Sequence, residues 1–266
     1  MFSLTQMFSQ EMRGIAIYQS KRQFDFEANR EEGGPAINEQ MQEQLRKQFQ
    51  KEYVLYFNHT ESSYTEKEKL DAPAPGIHAG GKTLRIMQNG AGGRLYKNTT
   101  EKKYIHQQEL MGKVFLVLDS LKLPEWTLEN EKKTIGPYTC HKAKWTRKVT
   151  QKVYNRDDKD FKEATQEKTT IAWYTPEIPV NNGPGEYWGL PGLILEVQED
   201  NFSLMCTEIV LNPEEQFKIE IPEKGKEVSQ ETFNKIRDEK NREFMERQGG
   251  RDRKNGNRTF SIRTEG

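Results

Sequence analysis

Thr169-Thr170-Ile171-Ala172-Trp173-Tyr174-Thr175-Pro176-Glu177-Ile178-Pro179, followed a few positions later by Gly189-Leu190-Pro191-Gly192-Leu193-Ile194-Leu195-Glu196-Val197, is the stretch on which the fold turns. Its first half is rich in β-branched and aromatic residues, which suit a pleated surface. Pro176 and Pro179 remove two backbone donors and fix two φ angles, so the strand ends there. Asn181-Asn182-Gly183-Pro184-Gly185 reads as a turn, because Gly and Asn accept positive φ and Pro pre-sets a corner. Gly189 and Gly192 flank Pro191 and predict a second tight bend or a close backbone approach. Leu193 to Val197 returns to strand, with Glu196 as its polar break. Two strands joined by a Pro/Gly loop of about fifteen residues exceed an ordinary hairpin, and such a loop is either functional or tightly packed. Packing over one end of a sheet, with Trp188 and Leu190 plugging the core, is the reading preferred here, since aromatics are core more often than ligand contacts. The alternative makes Trp173, Tyr174, Tyr187, Trp188 and Leu190 the rim of a binding site.

Working outward, Arg13 to Phe26, Tyr53 to Thr60, three short segments between Arg94 and Asp119, Trp126 to Leu128, Tyr138 to Val149, Ser203 to Leu211 and Phe217 to Ile221 all read as strands. Ile37, Met41, Leu45 and Phe49 recur every four positions and predict a short amphipathic helix. A second helix is expected over Ser229 to Arg247, with Ser229 as its N-cap. Residues 66–93 read as a long mobile loop, Asn155 to Lys168 as a charged loop or helical turn, and Gln248 to Asn257 as a disordered basic linker. Thr259 to Arg263 alternates once more and fits an edge strand. Many strands and only two helices predict an α+β or mainly β fold with a large curved antiparallel sheet, similar in strand pattern to the half-barrel of bacterial lipoprotein carriers. Residues 11–228 then form a single β-rich domain, and 229–266 a helical and basic extension.

The hexapeptide Gly189 to Ile194 closely resembles the signature of the GLPGLI family. Gly14-Ile15-Ala16-Ile17-Tyr18, Tyr53 to Asn58, Ile135-Gly136-Pro137-Tyr138-Thr139-Cys140-His141 and Ile221-Pro222-Glu223-Lys224-Gly225-Lys226 are similar to further family blocks. The resemblance makes Pro176, Pro179, Gly183, Pro184, Gly189, Pro191 and Gly192 the structural signature. It implies a secreted or envelope protein of Bacteroidota-type bacteria, and it implies no mechanism. Residues 1–10 look like the last third of a signal peptide, which leads to the expectation that translation starts upstream of Met1. The expected location is accordingly periplasmic, outer-membrane-associated or secreted.

The 266 residues are 33% hydrophobic and 31% charged, with 41 basic and 41 acidic side chains. Zero net charge gives no electrostatic case for nucleic acid. No apolar run approaches the roughly 18 residues a membrane-spanning helix needs. Cys140 and Cys206 are not a metal-binding pair; their even number permits a disulfide as readily as two buried thiols. The four histidines, His59, His78, His106 and His141, show no metal-ligand spacing, and no cofactor motif occurs. Cys140 and His141 point to opposite faces of a strand and cannot act as a pair from it. Asn155, Asp157, Asp158 and Asp160 lack the Gly and distal Glu of a calcium loop. Asp119-Ser120-Leu121 resembles the short O-glycosylation acceptor of exported Bacteroidota proteins. Glu177, between two prolines, is the one candidate for acid–base work; the competing reading is a carboxylate that accepts backbone N–H bonds and fixes the loop. Three functions therefore stand open: a non-catalytic binding or accessory protein for an outer-membrane partner or an apolar or peptide-like ligand, a hydrolase using Glu177, and a structural surface component.

Overall fold

The computed structural model describes residues 12–22, 50–67, 77–79, 82–84, 93–155, 160–255 and 263–265. The first strands are β1 (Gly14–Arg22), β2 (Glu52–Phe57), β3 (Glu61–Glu66), β4 (Ile77–Ala79) and β5 (Lys82–Leu84). Then come β6 (Arg94–Asn98), β7 (Lys103–Leu110), β8 (Lys113–Ser120), β9 (Thr127–Ile135) and β10 (Tyr138–Asn155). The chain continues through β11 (Asp160–Thr175), β12 (Leu193–Glu199), β13 (Phe202–Leu211), β14 (Lys226–Val228), the helix α1 (Gln230–Asn255) and β15 (Arg263–Glu265). One mostly antiparallel sheet runs β14-β8-β7-β6-β3-β2-β1-β13-β12-β11-β10-β15, with β9 also paired to β10. Only β14 lies parallel to its neighbour, β8.

The sheet is open and curved. Register shifts at Ile17/Tyr18, His141/Ala143 and Trp173/Tyr174 supply bulges, and bulges bend strands and increase their twist. The β9–β10 hairpin turns through Gly136 at φ 57 and Pro137, an order that suits the twist of the flanking strands. Successive residues of β11 and β12 go to two different hydrophobic clusters. Trp173, Leu193 and Leu195 join Ala16, Tyr18, Leu55, Phe57 and Cys206, whereas Ala172, Tyr174, Ile194 and Val197 join Ala143, Tyr187, Leu190 and Leu204. Burial on both faces is why Leu193 to Leu195 reads as a continuous apolar run.

α1 is the one helix among the described residues. Its N-terminus is capped by Ser229, whose Oγ accepts the Thr232 N–H at 3.2 Å. Phe233 and Ile236 pack on Phe115, Val117 and Leu110. Asp119 of β8 accepts the backbone N–H of Gln230 at 3.1 Å.

Several sequence expectations change. Asp160 to Lys168 is strand, not loop or helical turn: β10 and β11 form a long two-stranded arm whose residues 163–167 are all exposed. Apolar periodicity vanishes there because neither face is buried, while pairings such as Lys148 opposite Glu167 keep the register favourable. Phe217 to Ile221 forms no strand; Phe217 instead packs against Tyr56 at 5.3 Å and under Arg13 at 6.0 Å. The backbone of α1 continues through most of the expected linker to Asn255, since only Gly249 and Gly250 oppose helix in a run of Arg, Lys, Gln and Asp. Within the expected loop 66–93, β4 and β5 pair as a small hairpin. The edge strand at the C-terminus falls at Arg263–Glu265, on Gln151 to Val153 of β10. The helix expected around Ile37 to Phe49, the segment 1–10, Asp157, Asp158 and Phe260 lie outside the described residues.

Candidate functional site

The prolines and glycines of the signature each have a backbone task. Pro176 sits inside a turn closed by the Ile178 N–H on the Thr175 carbonyl at 3.4 Å. Pro179 and Pro191 centre three-residue turns, with Val180 N–H on Ile178 O and Gly192 N–H on Leu190 O, both at 2.8 Å. Such turns want φ near the value that the pyrrolidine ring imposes. Pro184 opens the turn that ends at Tyr187, and Gly185 takes φ 55 within it. A Cβ on Gly192 would stand 2.1 Å from the Thr175 carbonyl oxygen, and one on Gly183 2.8 Å from Ile194 Cβ. The two limbs of the loop then bond to each other, Leu193 N–H to Ile178 O at 2.9 Å and Ile194 N–H to Asn182 O at 3.0 Å.

This compact loop reaches strands far along the sheet. Lys97 of β6 is 0% exposed; its Nζ donates to Gly183 O at 2.9 Å and Tyr187 O at 3.2 Å. Burial lowers its pKa to about 7, partly opposed by Glu186. Ser62 of β3 donates to Asn182 Oδ1 at 3.0 Å, and Tyr18 of β1 donates to Ile194 O at 2.7 Å. The Trp188 indole N–H reaches Lys122 O at 2.9 Å, and that of Trp126 reaches Trp188 O at 2.8 Å. Only a curled sheet brings β3, β6, the end of β8 and the β11–β12 loop together, and the loop fills the curl.

The predicted rim residues are accordingly internal. Trp173, Tyr174, Tyr187, Trp188 and Leu190 are all buried. Glu177 is exposed, and its Oε1 accepts the Thr139 N–H at 2.8 Å, which ties the loop to the start of β10. Glu196, 2% exposed, is held by Lys133 and by Gln198, and Lys133 also stands 4.4 Å over the Trp173 ring. Glu199 is gripped by Arg147 at 2.9 Å, Lys168 at 3.1 Å and the Thr170 hydroxyl. Cys140 and Cys206 are buried free thiols on strands separated by β11 and β12. Burial pushes them to about 11 and about 12. The Ser120 backbone N–H, with that of Gln230 adding to the effect, lowers the Asp119 carboxyl from its ordinary value, and Ser120 is exposed beside it. No group of three or more His, Cys, Asp or Glu among the described residues is placed to hold a metal ion.

The surface that remains open was not singled out from the sequence. Trp126, just before β9, and Trp145 of β10 stand 5.8 Å apart, both half-buried, with the Arg147 guanidinium 4.2 Å over Trp145. Leu128 pairs with Ala143, one rung beyond the Thr127–Lys144 pair, and is 57% exposed, and Leu123 is 59% exposed. Leu123 also lies against Gly189, at φ 89, where an added Cβ would meet it at 2.4 Å. Beside Trp126 is an open cleft of about 520 Å3 lined by Glu125, Trp126, Thr127, Glu129, Lys144 and Thr146. A larger cleft of about 710 Å3 includes Arg13, Asn58, Glu61 and Phe217, but Glu61 there accepts the Tyr96 hydroxyl and Arg13 lies over Phe217. The two Trp residues are far apart in sequence, and only the β9–β10 register puts them together.

Residues 126–196, about a quarter of the chain, match a family model described as a protein of unknown function, Porph_ging. The match runs from Trp126 through the hexapeptide. No curated protein matches. Among solved structures, PNGF-II in a C2 and in a P21 crystal form is similar at 13% identity and a TM-score of 0.49 over 85% of this chain. The chain spans 32% of the PNGF-II length in the first form and 33% in the second.

Proposed function

We propose that this chain is a non-catalytic, secreted or envelope-associated binding or accessory protein of the GLPGLI type, and that its working surface is the β9–β10 face rather than the signature loop. The observation that carries this reading is exposed Leu128, two residues along the chain from half-buried Trp126, which stands 5.8 Å from half-buried Trp145; Leu123, on the segment that leads to Trp126, is exposed as well. Large apolar side chains grouped at a surface mark contact sites, whereas scattered ones do not. The Trp126–Trp188 hydrogen bond fastens this surface to the loop, so the loop acts as its foundation. The hydrolase reading has little to work with. Glu177 bonds a backbone N–H, and Glu196, a second carboxylate of the block, is taken up by Lys133 and Gln198. Acid–base catalysis needs groups placed toward a common reacting atom.

The test is a photo-crosslinking amino acid placed at Leu128, and separately at Met205, which is 44% exposed elsewhere, in protein expressed in its native host. The reading predicts an envelope-fraction adduct from position 128 and none from 205. Hydrolysis of simple ester, amide or glycoside substrates that Glu177→Gln abolishes would overturn it.

A further inference from the structure

The chain's two long described connections are held in opposite ways. The signature loop is tied limb to limb by backbone bonds, whereas residues 213–224, on the way from β13 to β14, make no backbone–backbone bond among the described residues. They cross the face of the sheet opposite that loop. Phe217 packs on Tyr56 of β2 and under Arg13. Glu220 pairs with Arg94 of β6, and Lys224 O accepts the Gln107 side chain of β7 at 2.8 Å. Gly225 lies against β8, where a Cβ would meet the Phe115 carbonyl carbon at 2.8 Å. Tyr56, Ser63, Tyr96, Ile105 and Leu118 pair in register across β2, β3, β6, β7 and β8, so they form one row on this face. Their chain neighbours Ser62 and Lys97 point the other way, to the signature loop.

The middle of the row is covered and its end is not: Ser63 is 2% and Tyr96 7% exposed, Leu118 37%. Among the described residues, the segment that crosses this middle is 213–225. Its hold is slight. Beyond Phe217 and buried Pro222 it has one side-chain bond and one ion pair, and ion pairs open to solvent contribute little. An open cleft of about 710 Å3 lies between Lys218, Ile219 and Ile221 of the crossing and the rim at Asn58 and Glu61. Both ends sit at backbone pivots, Asn212 at φ 46 and Gly225 at φ 138. Segments with few buried contacts and no backbone ladder open at lower free energy than the sheet beneath them.

We propose that residues 213–225 are a displaceable strap, which swings about Asn212 and Gly225 while the sheet stays folded and uncovers the row of Tyr56, Ser63, Tyr96 and Ile105. Opening joins that row to Leu118 and Val114, already exposed beside it, in a single largely apolar surface; closed, the strap withholds it. The inference goes beyond the β9–β10 reading and uses other strands, so either can fail without the other.

The experiment puts a thiol beneath the strap. Ser63→Cys changes the side chain little in size, and the native thiols Cys140 and Cys206, both buried, report opening of the core. The full chain is alkylated at about pH 8 in increasing urea below the unfolding transition, and each site is followed by peptide mass spectrometry. The expected result is that the introduced thiol labels at least about tenfold faster than Cys140 and Cys206, at a rate nearly independent of urea. In that background Phe217→Ala should speed its labelling about tenfold or more, and Glu220→Gln by a smaller factor, with Cys140 unchanged. If the introduced thiol labels only as fast as the native two and shares their urea dependence, the strap opens only with the whole fold and the proposal is wrong. If it labels fast but neither strap variant alters its rate, the strap is not the cover and the proposal is equally wrong. A readout without the new thiol guards against a misfolded variant: Phe217→Ala alone should raise the fluorescence of an apolar dye at an unchanged melting temperature, and no rise would count against the strap.

Discussion

Lys97 concentrates the energetics of the loop in one side chain. An ammonium with no exposed surface costs desolvation, and its two bonds are to carbonyls rather than to a carboxylate. Its folded pKa of about 7 lies below the roughly 10.4 of a free lysine. Between those values the unfolded chain binds the extra proton, so stability rises with pH through that window. Thermal melts from pH 7 to about 9.5 are expected to show this rise in the wild type and to lose it in Lys97→Met. That variant also leaves Gly183 O and Tyr187 O without their donor, at a cost of roughly 1–3 kcal/mol each. The glycines divide in a parallel way. Gly192→Ala drives a Cβ into backbone at 2.1 Å and should cost about 3 kcal/mol or more. Gly185→Ala meets nothing within 4 Å at φ 55 and should cost about 1–2 kcal/mol; denaturant unfolding of the two variants checks the order. At this scale the sequence was most readable, because Pro and Gly declare their backbone demands locally. It was silent on Lys97, whose burial follows from a contact between β6 and a loop far along the chain.

At the scale of elements, legibility follows burial. The strands that line the curl carry a repeating apolar pattern and could be recognised from it. Residues 163–167 of the β10–β11 arm are all exposed, so this stretch holds charged and polar residues without a two-residue apolar period. Phe217 to Ile221 shows the reverse error: apolar alternation was present, but no ladder partner was. The helix α1 was readable from its cap and not from its thin apolar stripe. Its docking rests on Asp119, whose carboxylate receives the Ser120 and Gln230 N–H groups. Asp119→Ala is expected to loosen the first turn of α1 at a cost of about 1 kcal/mol, seen as faster amide exchange in residues 230–236. Because the folded pKa is depressed, the contribution is present above the ordinary carboxylate value near 4 and is lost as pH falls through the folded value. The aromatic cleft was not legible, since it needs the β9–β10 register as well as the residues.

For the whole molecule, the consequence is a curved sheet whose hollow is occupied by its own loop. A lipoprotein-carrier analogy leads one to look inside the curl for a ligand; here Ile178, Val180, Tyr187, Trp188 and Leu190 are already buried there. On the reading proposed above, recognition falls to the exterior, at β9 and β10. The sealed interior also governs the thiols: with Cys140 and Cys206 buried and pushed up to about 11 and 12, alkylation of native protein at pH 8 should be slow and should track global unfolding in denaturant. Rapid labelling of either thiol in native buffer would mean that the core opens locally. Hydrogen exchange resolved to single amides tests the central claim most directly. If the loop is the plug of the fold, the N–H groups of Val180, Asn182, Leu193 and Ile194 exchange only through global unfolding, as slowly as those of β1 and β13. Exchange of these four at the rate of an exposed loop, with β1 still protected, would contradict the account and return the signature loop to candidacy as a mobile binding rim.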